Sequence, residues 1–301
     1  GKGSGVPSGT SDRMKSTALN LTGSEKNKLC ADLWGSAGHP VILLHGGGQT
    51  RHSWEKTARQ IAQSGMRAIT VDLRGHGDSE WVPSGDYTFR AFGTDATTMF
   101  RHVAEMCGEA PSVIGASLGG LSALIAETSS GPLIRSLVLV DVTPRMDPEG
   151  VSKVQGFMGQ RLDSGFVSLD EAADAIAAYL PHRERPGSLG GLRKNLRLHQ
   201  DGRYRWHWDP VFINGDRNIG AGSEEIMEEV TARLPFLKVP TLLVRGMQSE
   251  LVHEEHAREF VTLAPCARYV DIGGAGHMIA GDKNDIFCDS VMDFLKEEAF
   301  A

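Results

Sequence analysis

The sequence predicts an α/β domain: a mostly parallel sheet of eight strands, flanked by helices and interrupted by one helical insert. Three observations carry this. Short apolar, β-branched runs alternate with stretches of helical spacing along most of the chain. The alternation stops over residues 143–236, where helical patterns are broken by Pro181, Pro186, Gly190-Gly191 and Pro210. Finally, the run ending in Val113-Ile114 enters Gly115-Ala116-Ser117-Leu118-Gly119-Gly120 and passes at once into an apolar helical pattern (Leu121, Leu124, Ile125). That is a strand turning sharply into a helix with a serine at the apex.

The elements follow in order. Runs at 19–21 and 28–33, flanked by Gly23-Ser24 and Gly35-Ser36, form a β-hairpin at a sheet edge. Val41-Ile42-Leu43-Leu44 is apolar throughout, as a strand buried on both faces must be. Trp54, Ala58, Ile61 and Ala62 give a helix over 52–64, followed by a strand at 67–71, a long helix at 89–106 and the strand 111–114. A helix continues over 121–127 and a strand runs over 134–142. After the insert come strand 241–244, helix 253–263, strand 268–272 and helix 283–296. The chain thus divides into a core of residues 14–142 and 237–301 and a helical cap of residues 143–236. Residues 1–13 lack an apolar stretch and are expected to be a disordered leader or tag.

A net charge of −7 argues against nucleic acid or an anionic membrane surface as partner. No apolar run approaches the roughly 20 residues of a membrane span. Cys30, Cys107, Cys266 and Cys288 are scattered without Cys-x-x-Cys spacing, so no zinc site, other metal or redox pair is expected, and a reduced, cytoplasmic setting is. A homodimer is compatible with the chain.

The chemistry gathers at strand ends. Gly115 and Gly119 leave room for the tight turn, and Ser117 stands over a helix N-terminus whose free N–H groups suit a nucleophile that creates an oxyanion. His45-Gly46-Gly47-Gly48 follows the strand 41–44; its bare backbone lets the Gly47 N–H, with that of Leu118, form an oxyanion hole. The Lys-Ser/Thr of a phosphate loop is missing there. Serine needs a base, and His277 in Gly273-Gly274-Ala275-Gly276-His277 follows the last strand. The orienting acid is expected at Glu250, in the loop after strand 241–244, with Asp141 at the end of the strand 134–140 as the alternative. Asp72–Ser79 reads as a structural turn in which Arg74, His76 and Asp78 fix the loop. His253-Glu254-Glu255-His256 has its histidines three apart rather than four and reads as the polar start of a surface helix. Trp206 and Trp208 either line a substrate pocket, together with Gly48, or anchor the insert.

Together these residues resemble the α/β-hydrolase fold family over nearly the whole chain, from about 17 to 300. The resemblance implies a catalytic serine at Ser117, an acid at Glu250 and a base at His277, in the family's chain order. Many relatives carry aspartate at the position of Glu250, which keeps Asp141 in play. The loops at 45–54 and 74–79 also look like those of haloalkane dehalogenases and epoxide hydrolases, but those enzymes use an aspartate nucleophile where this chain has Ser117. The expected function is hydrolysis of an ester or lactone of a small, fairly apolar molecule through an acyl-enzyme, with no cofactor. The alternatives are carbon–carbon bond hydrolysis or peracid formation on the same triad, a non-catalytic ligand-binding member of the fold, or an interaction scaffold.

Overall fold

A computed structural model describes residues 14–179, 192–279 and 282–299. The expected leader, at residues 1–13, lies outside the described residues. Strands β1 (Thr17–Thr22) and β2 (Lys28–Trp34) form the expected antiparallel hairpin. β3 (Pro40–Leu44), β4 (Arg67–Val71), β5 (Ser112–Ala116), β6 (Ser136–Val140), β9 (Thr241–Gly246) and β10 (Ala267–Ile272) complete one eight-stranded sheet in the order β1-β2-β4-β3-β5-β6-β9-β10. The pairings from β4 through β10 are parallel, and only the β1-β2 and β2-β4 pairs are antiparallel.

Alternation within the strands divides the core in two. Val41 and Leu43 pack on one face with Ile114, Val138 and Leu242, under helices α1 (Glu55–Gln63) and α9 (Cys288–Ala299). Ile42 and Leu44 pack on the other with Ile69, Val113 and Leu139, under α2 (Phe89–Cys107) and α3 (Leu118–Ser130). Because both faces are covered, β3, β5, β6 and β9 are buried along their whole length, which is why their central residues read as apolar runs.

Between β6 and β9 the described residues add no strand to this sheet. It forms α4 (Pro148–Met158), α5 (Leu169–Tyr179), α6 (Val211–Asn214) and α7 (Ser223–Arg233). It also forms a small antiparallel hairpin, β7 (Leu196–Leu198) with β8 (Tyr204–Trp206). The hairpin departs from the purely helical expectation. Its signal is present in Asp201-Gly202, a turn dipeptide between two apolar-polar-apolar triplets, but three-residue strands are too short to stand out from helical spacing. Toward the C-terminus, α8 (Glu254–Leu263) begins where the polar His253–His256 stretch predicts. The His253 N–H donates to His256 Nδ1 at 3.0 Å, and the His253 ring is bonded to Asp147 at 2.9 Å, so both histidines serve the helix end.

Candidate active site

The site is assembled at the carboxyl ends of β3, β5, β6 and β9. Ser117 joins β5 to α3 with φ 47° and ψ −114°, a left-handed conformation that costs a non-glycine residue energy and occurs where surrounding structure enforces it. The surroundings are close. A Cβ on Gly115 would lie 2.4 Å from the Gly120 nitrogen, and one on Gly119 would lie 2.6 Å from Leu44 Cβ and 2.7 Å from the His45 carbonyl oxygen. The Ser117 N–H donates to the Val140 carbonyl (3.1 Å) and the Gly119 N–H to that of His45 (3.1 Å), locking the turn between two strand ends.

His277 reaches this serine from the loop after β10. Ser117 Oγ lies 3.4 Å from His277 Nε2, and His277 Nδ1 donates to Asp141 Oδ2 at 2.9 Å. The carboxylate can only accept, so the imidazole proton sits on Nδ1 and the Nε2 lone pair faces the hydroxyl. The serine–histidine distance is long for a hydrogen bond, as is common before substrate is bound.

The acid beside His277 is therefore Asp141, and the expectation that Glu250 would fill this place is corrected. Glu250 Oε2 lies 3.6 Å from Lys153 Nζ on the surface, and its side chain is 58% exposed. Asp141 is 4% exposed and stands in the left-handed region (φ 52°) immediately after β6. The loop after β9 contributes to the site through other groups. The Gly246 N–H donates to Asp141 Oδ1 (3.2 Å) and the Ser249 hydroxyl to Asp141 Oδ2 (2.8 Å). Ser249 is held in turn by the N–H groups of Leu251 and Val252 (3.2 and 3.1 Å). The Glu250 carbonyl approaches Gly150 of α4 closely, a Cβ there falling 2.4 Å away. Ser249 went unnoticed in the sequence, where a serine beside a glutamate is an ordinary loop pair.

Gly47 and Leu118 come together as expected. Both line one cavity with Ser117 and His277, and a Cβ on Gly47 would lie 3.9 Å from Leu118 Cδ2. The Leu118 amide is the first of α3, where N–H groups have no intrahelical partner. The remaining walls are Phe89, Leu121, Met146, Val154, Met158 and Phe212, with their neighbours Val151, Ile213, Ile219 and Leu251. Gln155 is the polar exception, and among the described residues no Asp, Glu, Lys or Arg side chain lines the cavity. The free space is about 80 Å³. Much of this wall comes from α4 and from the α6 region of the insert.

Three expected pocket residues sit elsewhere. Trp206 and Trp208 stack at 5.0 Å with their rings nearly parallel, and both are buried in the core of the insert. Gly48 packs beneath them, a Cβ there falling 3.2 Å from the Trp208 ring. None of the three lines the cavity, because the tryptophans approach the glycine loop from behind.

The Asp72–Ser79 turn is structural, as expected. Asp72 accepts from the Arg51 backbone and side chain and from the Asp78 N–H, while buried Arg74 is bonded to Asp95 and Glu25. Cys30, Asp72 and Asp78 bring ligand atoms within 4.8 Å of one another, but the Arg51 guanidinium bonds both carboxylates and holds the position a cation would need. His45, His76 and His207 form a buried column under the glycine loop, with ring centroids 5.3 and 5.7 Å apart. Burial pushes His45 down to about 4 and His76 to about 3, and holds His207 well below the usual histidine range, so all three are neutral at pH 7.

A second serine–histidine–carboxylate chain exists at the opposite edge of the sheet: Ser112 Oγ lies 2.8 Å from His39 Nε2, and His39 Nδ1 is bonded to Glu109. Its distances are shorter than those at Ser117. However, Ser112 is buried at the start of β5, shares its hydroxyl with Ser136 (2.8 Å) and lines no part of the apolar cavity. Ser117, by contrast, lines that cavity together with Gly47, Leu118 and His277.

With this geometry in place, comparison with known proteins is informative. A model of the alpha/beta hydrolase fold matches residues 39–283. The chain belongs to the α/β-hydrolase family. It is 33% identical over 258 residues to an esterase of Mycobacterium tuberculosis, covering 83% of this chain and 80% of the relative. It is 27% identical over 270 residues to an sn-1-specific diacylglycerol lipase of Mus musculus, covering 85% and 80% respectively. Among solved structures, the mycobacterial esterase superimposes with a TM-score of 0.70 at 27% identity, covering 94% of this chain and 92% of that one. An alpha/beta hydrolase from Novosphingobium aromaticivorans gives 0.77 at 22% identity over 94% and 99%, a likeness of fold. No helix of the described residues is long and apolar enough to cross a membrane.

Proposed function

We propose that this α/β-hydrolase is a serine esterase acting on a small ester whose acyl group is short, apolar and uncharged. The observation that carries the proposal is the relay Ser117–His277–Asp141 at the wall of an apolar cavity shared by Gly47 and Leu118. Relatives named as an esterase and a diacylglycerol lipase support ester chemistry.

His277 takes the Ser117 proton as Oγ attacks the carbonyl carbon. The amides of Gly47 and Leu118 stabilise the oxyanion. His277, now positive and steadied by Asp141, gives its proton to the leaving alkoxide, and an acyl-enzyme remains on Ser117. Water, deprotonated by His277, attacks that ester and releases the acid. The insert over residues 143–236 acts as a cap that excludes bulk water from these steps. Among the described residues the wall is apolar, which favours apolar acyl groups, and the small free volume favours short ones. A lactone of similar size fits the same walls and is hydrolysed by the same steps.

The test is a panel of p-nitrophenyl esters of graded acyl length, with lactones and thioesters beside them, together with labelling by a fluorophosphonate probe. Wild type is expected to turn over the short esters and to label. Ser117→Ala, whose fold should survive because only a hydroxyl is lost, is expected to do neither. Retained turnover in that variant would remove the proposal.

A further inference from the structure

The loop of three glycines that carries the Gly47 amide has little stiffness of its own, because glycine restricts its backbone least. The Gly46 carbonyl is bonded to His45 Nδ1 (2.7 Å) and accepts from the Gln49 N–H (3.0 Å), and side chains hold the loop at both ends. At one end the Gly46 N–H donates to Gln49 Oε1 (2.9 Å), whose amide is tied through Asn284 (3.0 Å) to Ser53 in the core. At the other end Gly48, with φ +79°, offers its carbonyl to His207 Nε2 at 2.8 Å. His207 Nδ1 accepts from the Gly77 N–H at 2.7 Å, so the ring proton must sit on Nε2, where it serves Gly48. The ring thereby bridges the glycine loop and the Asp72–Ser79 turn. Neighbouring Asp209 extends the contact, its N–H donating to the Gly75 carbonyl (2.9 Å) and its carboxylate accepting from the Tyr87 hydroxyl (2.7 Å). His207 lines no part of the apolar cavity, so it has no path to substrate.

We infer that His207 is a positioning residue for the Gly47 amide: the insert, by seating this one imidazole behind Gly48, holds the Gly48–Gln49 peptide, two peptide planes along from the oxyanion donor. The segment Trp206-His207-Trp208-Asp209 then has a purpose other than lining a pocket, since its tryptophans pack the ring in place and its histidine holds the loop. The kinetic consequence rests on the hydrolase function proposed above, whereas the geometry does not. Because the oxyanion exists only in the transition state, a loosened donor lowers kcat and leaves KM nearly unchanged.

The experiment compares His207→Leu, which fills the volume without a donor, with His207→Gln, whose amide nitrogen can reach the Nε2 position. The substrate is p-nitrophenyl butyrate. Complete loss of one oxyanion donor costs about 100- to 1000-fold in kcat, so loosening one should cost about 10- to 100-fold in the leucine variant, with KM within about twofold. The glutamine variant should recover to within about fivefold of wild type by restoring the charge-free hydrogen bond. A folded leucine variant with wild-type kcat, or a glutamine variant no better than leucine, overturns the inference. Should the leucine variant not fold, His207→Asn, too short to reach Gly48, replaces it under the same criteria. If wild type hydrolyses no ester, the hydrolase proposal fails by itself. The clamp is then judged by amide hydrogen exchange at residues 46–49: faster in leucine than in glutamine supports it, and equal rates overturn it.

Discussion

Replacing Asp141 by asparagine keeps the side-chain shape and removes its charge. In the structure every hydrogen bond to this carboxylate is a donation to it: His277 Nδ1 and the Ser249 hydroxyl to Oδ2, the Gly246 N–H to Oδ1. An asparagine offers one accepting oxygen and one NH₂ group. If the NH₂ faces Gly246, two donors oppose each other in a buried site. If it faces His277, the imidazole must accept at Nδ1 and carry its proton on Nε2, pointing at Ser117 with no lone pair for the serine proton. The first arrangement keeps the imidazole tautomer but leaves two donors facing each other, the second removes the base, and both remove the negative charge that steadies the imidazolium. The corresponding change in a serine protease costs about 10⁴ in kcat, or about 5 kcal/mol, and a loss of about 10³- to 10⁴-fold is expected here. Glu250→Gln is the matched control. Its partner is a surface lysine at 3.6 Å, a pair worth about 0–1 kcal/mol, so kcat should stay within about twofold of wild type. The assay is kcat/KM for p-nitrophenyl butyrate, with thermal melts confirming that both variants are folded. Asp141→Asn retaining more than about a tenth of wild-type activity, or Glu250→Gln losing more than Asp141→Asn, would refute the assignment.

Two further outcomes are expected. Ser112→Ala breaks the second serine–histidine chain and should leave ester turnover unchanged while costing about 1 kcal/mol of stability through the lost buried hydrogen bond, read by denaturant melts. Acid should destabilise the fold through the buried histidine column. The unfolded chain takes up protons below pH 6.5, but folded His45 and His76 do so only near 4 and 3. Their stability is therefore complete above pH 6.5 and is lost as the pH falls toward those values. By pH 5 each contributes a loss of about 2 kcal/mol. Asp72 and Glu127, whose carboxyls burial pushes up, take up protons in the folded state before the unfolded one and so oppose this loss as the pH falls through their raised values; the net change in Tm between pH 6.5 and 5 is expected to be a fall. A flat Tm across that interval would show that the column is not held neutral by the fold.

The sheet was legible because its strands are buried on both faces. An unbroken run such as Val41-Ile42-Leu43-Leu44 has few other ways to hide its apolar surface. The serine turn was legible for a steric reason: Gly115 and Gly119 stand where any Cβ would meet backbone or a neighbouring strand. His277 was legible from its place after the last strand. The β7–β8 hairpin was hidden by its brevity, and the strand expected over 134–142 is trimmed to Ser136–Val140, because its final residues turn to present Asp141.

The chain by itself determined the layers, the serine turn, the place of His277 and the bare backbone at Gly47, because each is a local demand: burial along a strand, room for a tight bend, a bare backbone beside a strand end. Tertiary structure alone decided which carboxylate meets the imidazole and what the two tryptophans do. Glu250 and Asp141 both follow strands that end at the same edge of the sheet, and no local feature separates them. The choice came from packing across the fold, which leaves the Glu250 side chain at the surface beside Lys153 while Gly246, Ser249 and His277 all donate to Asp141.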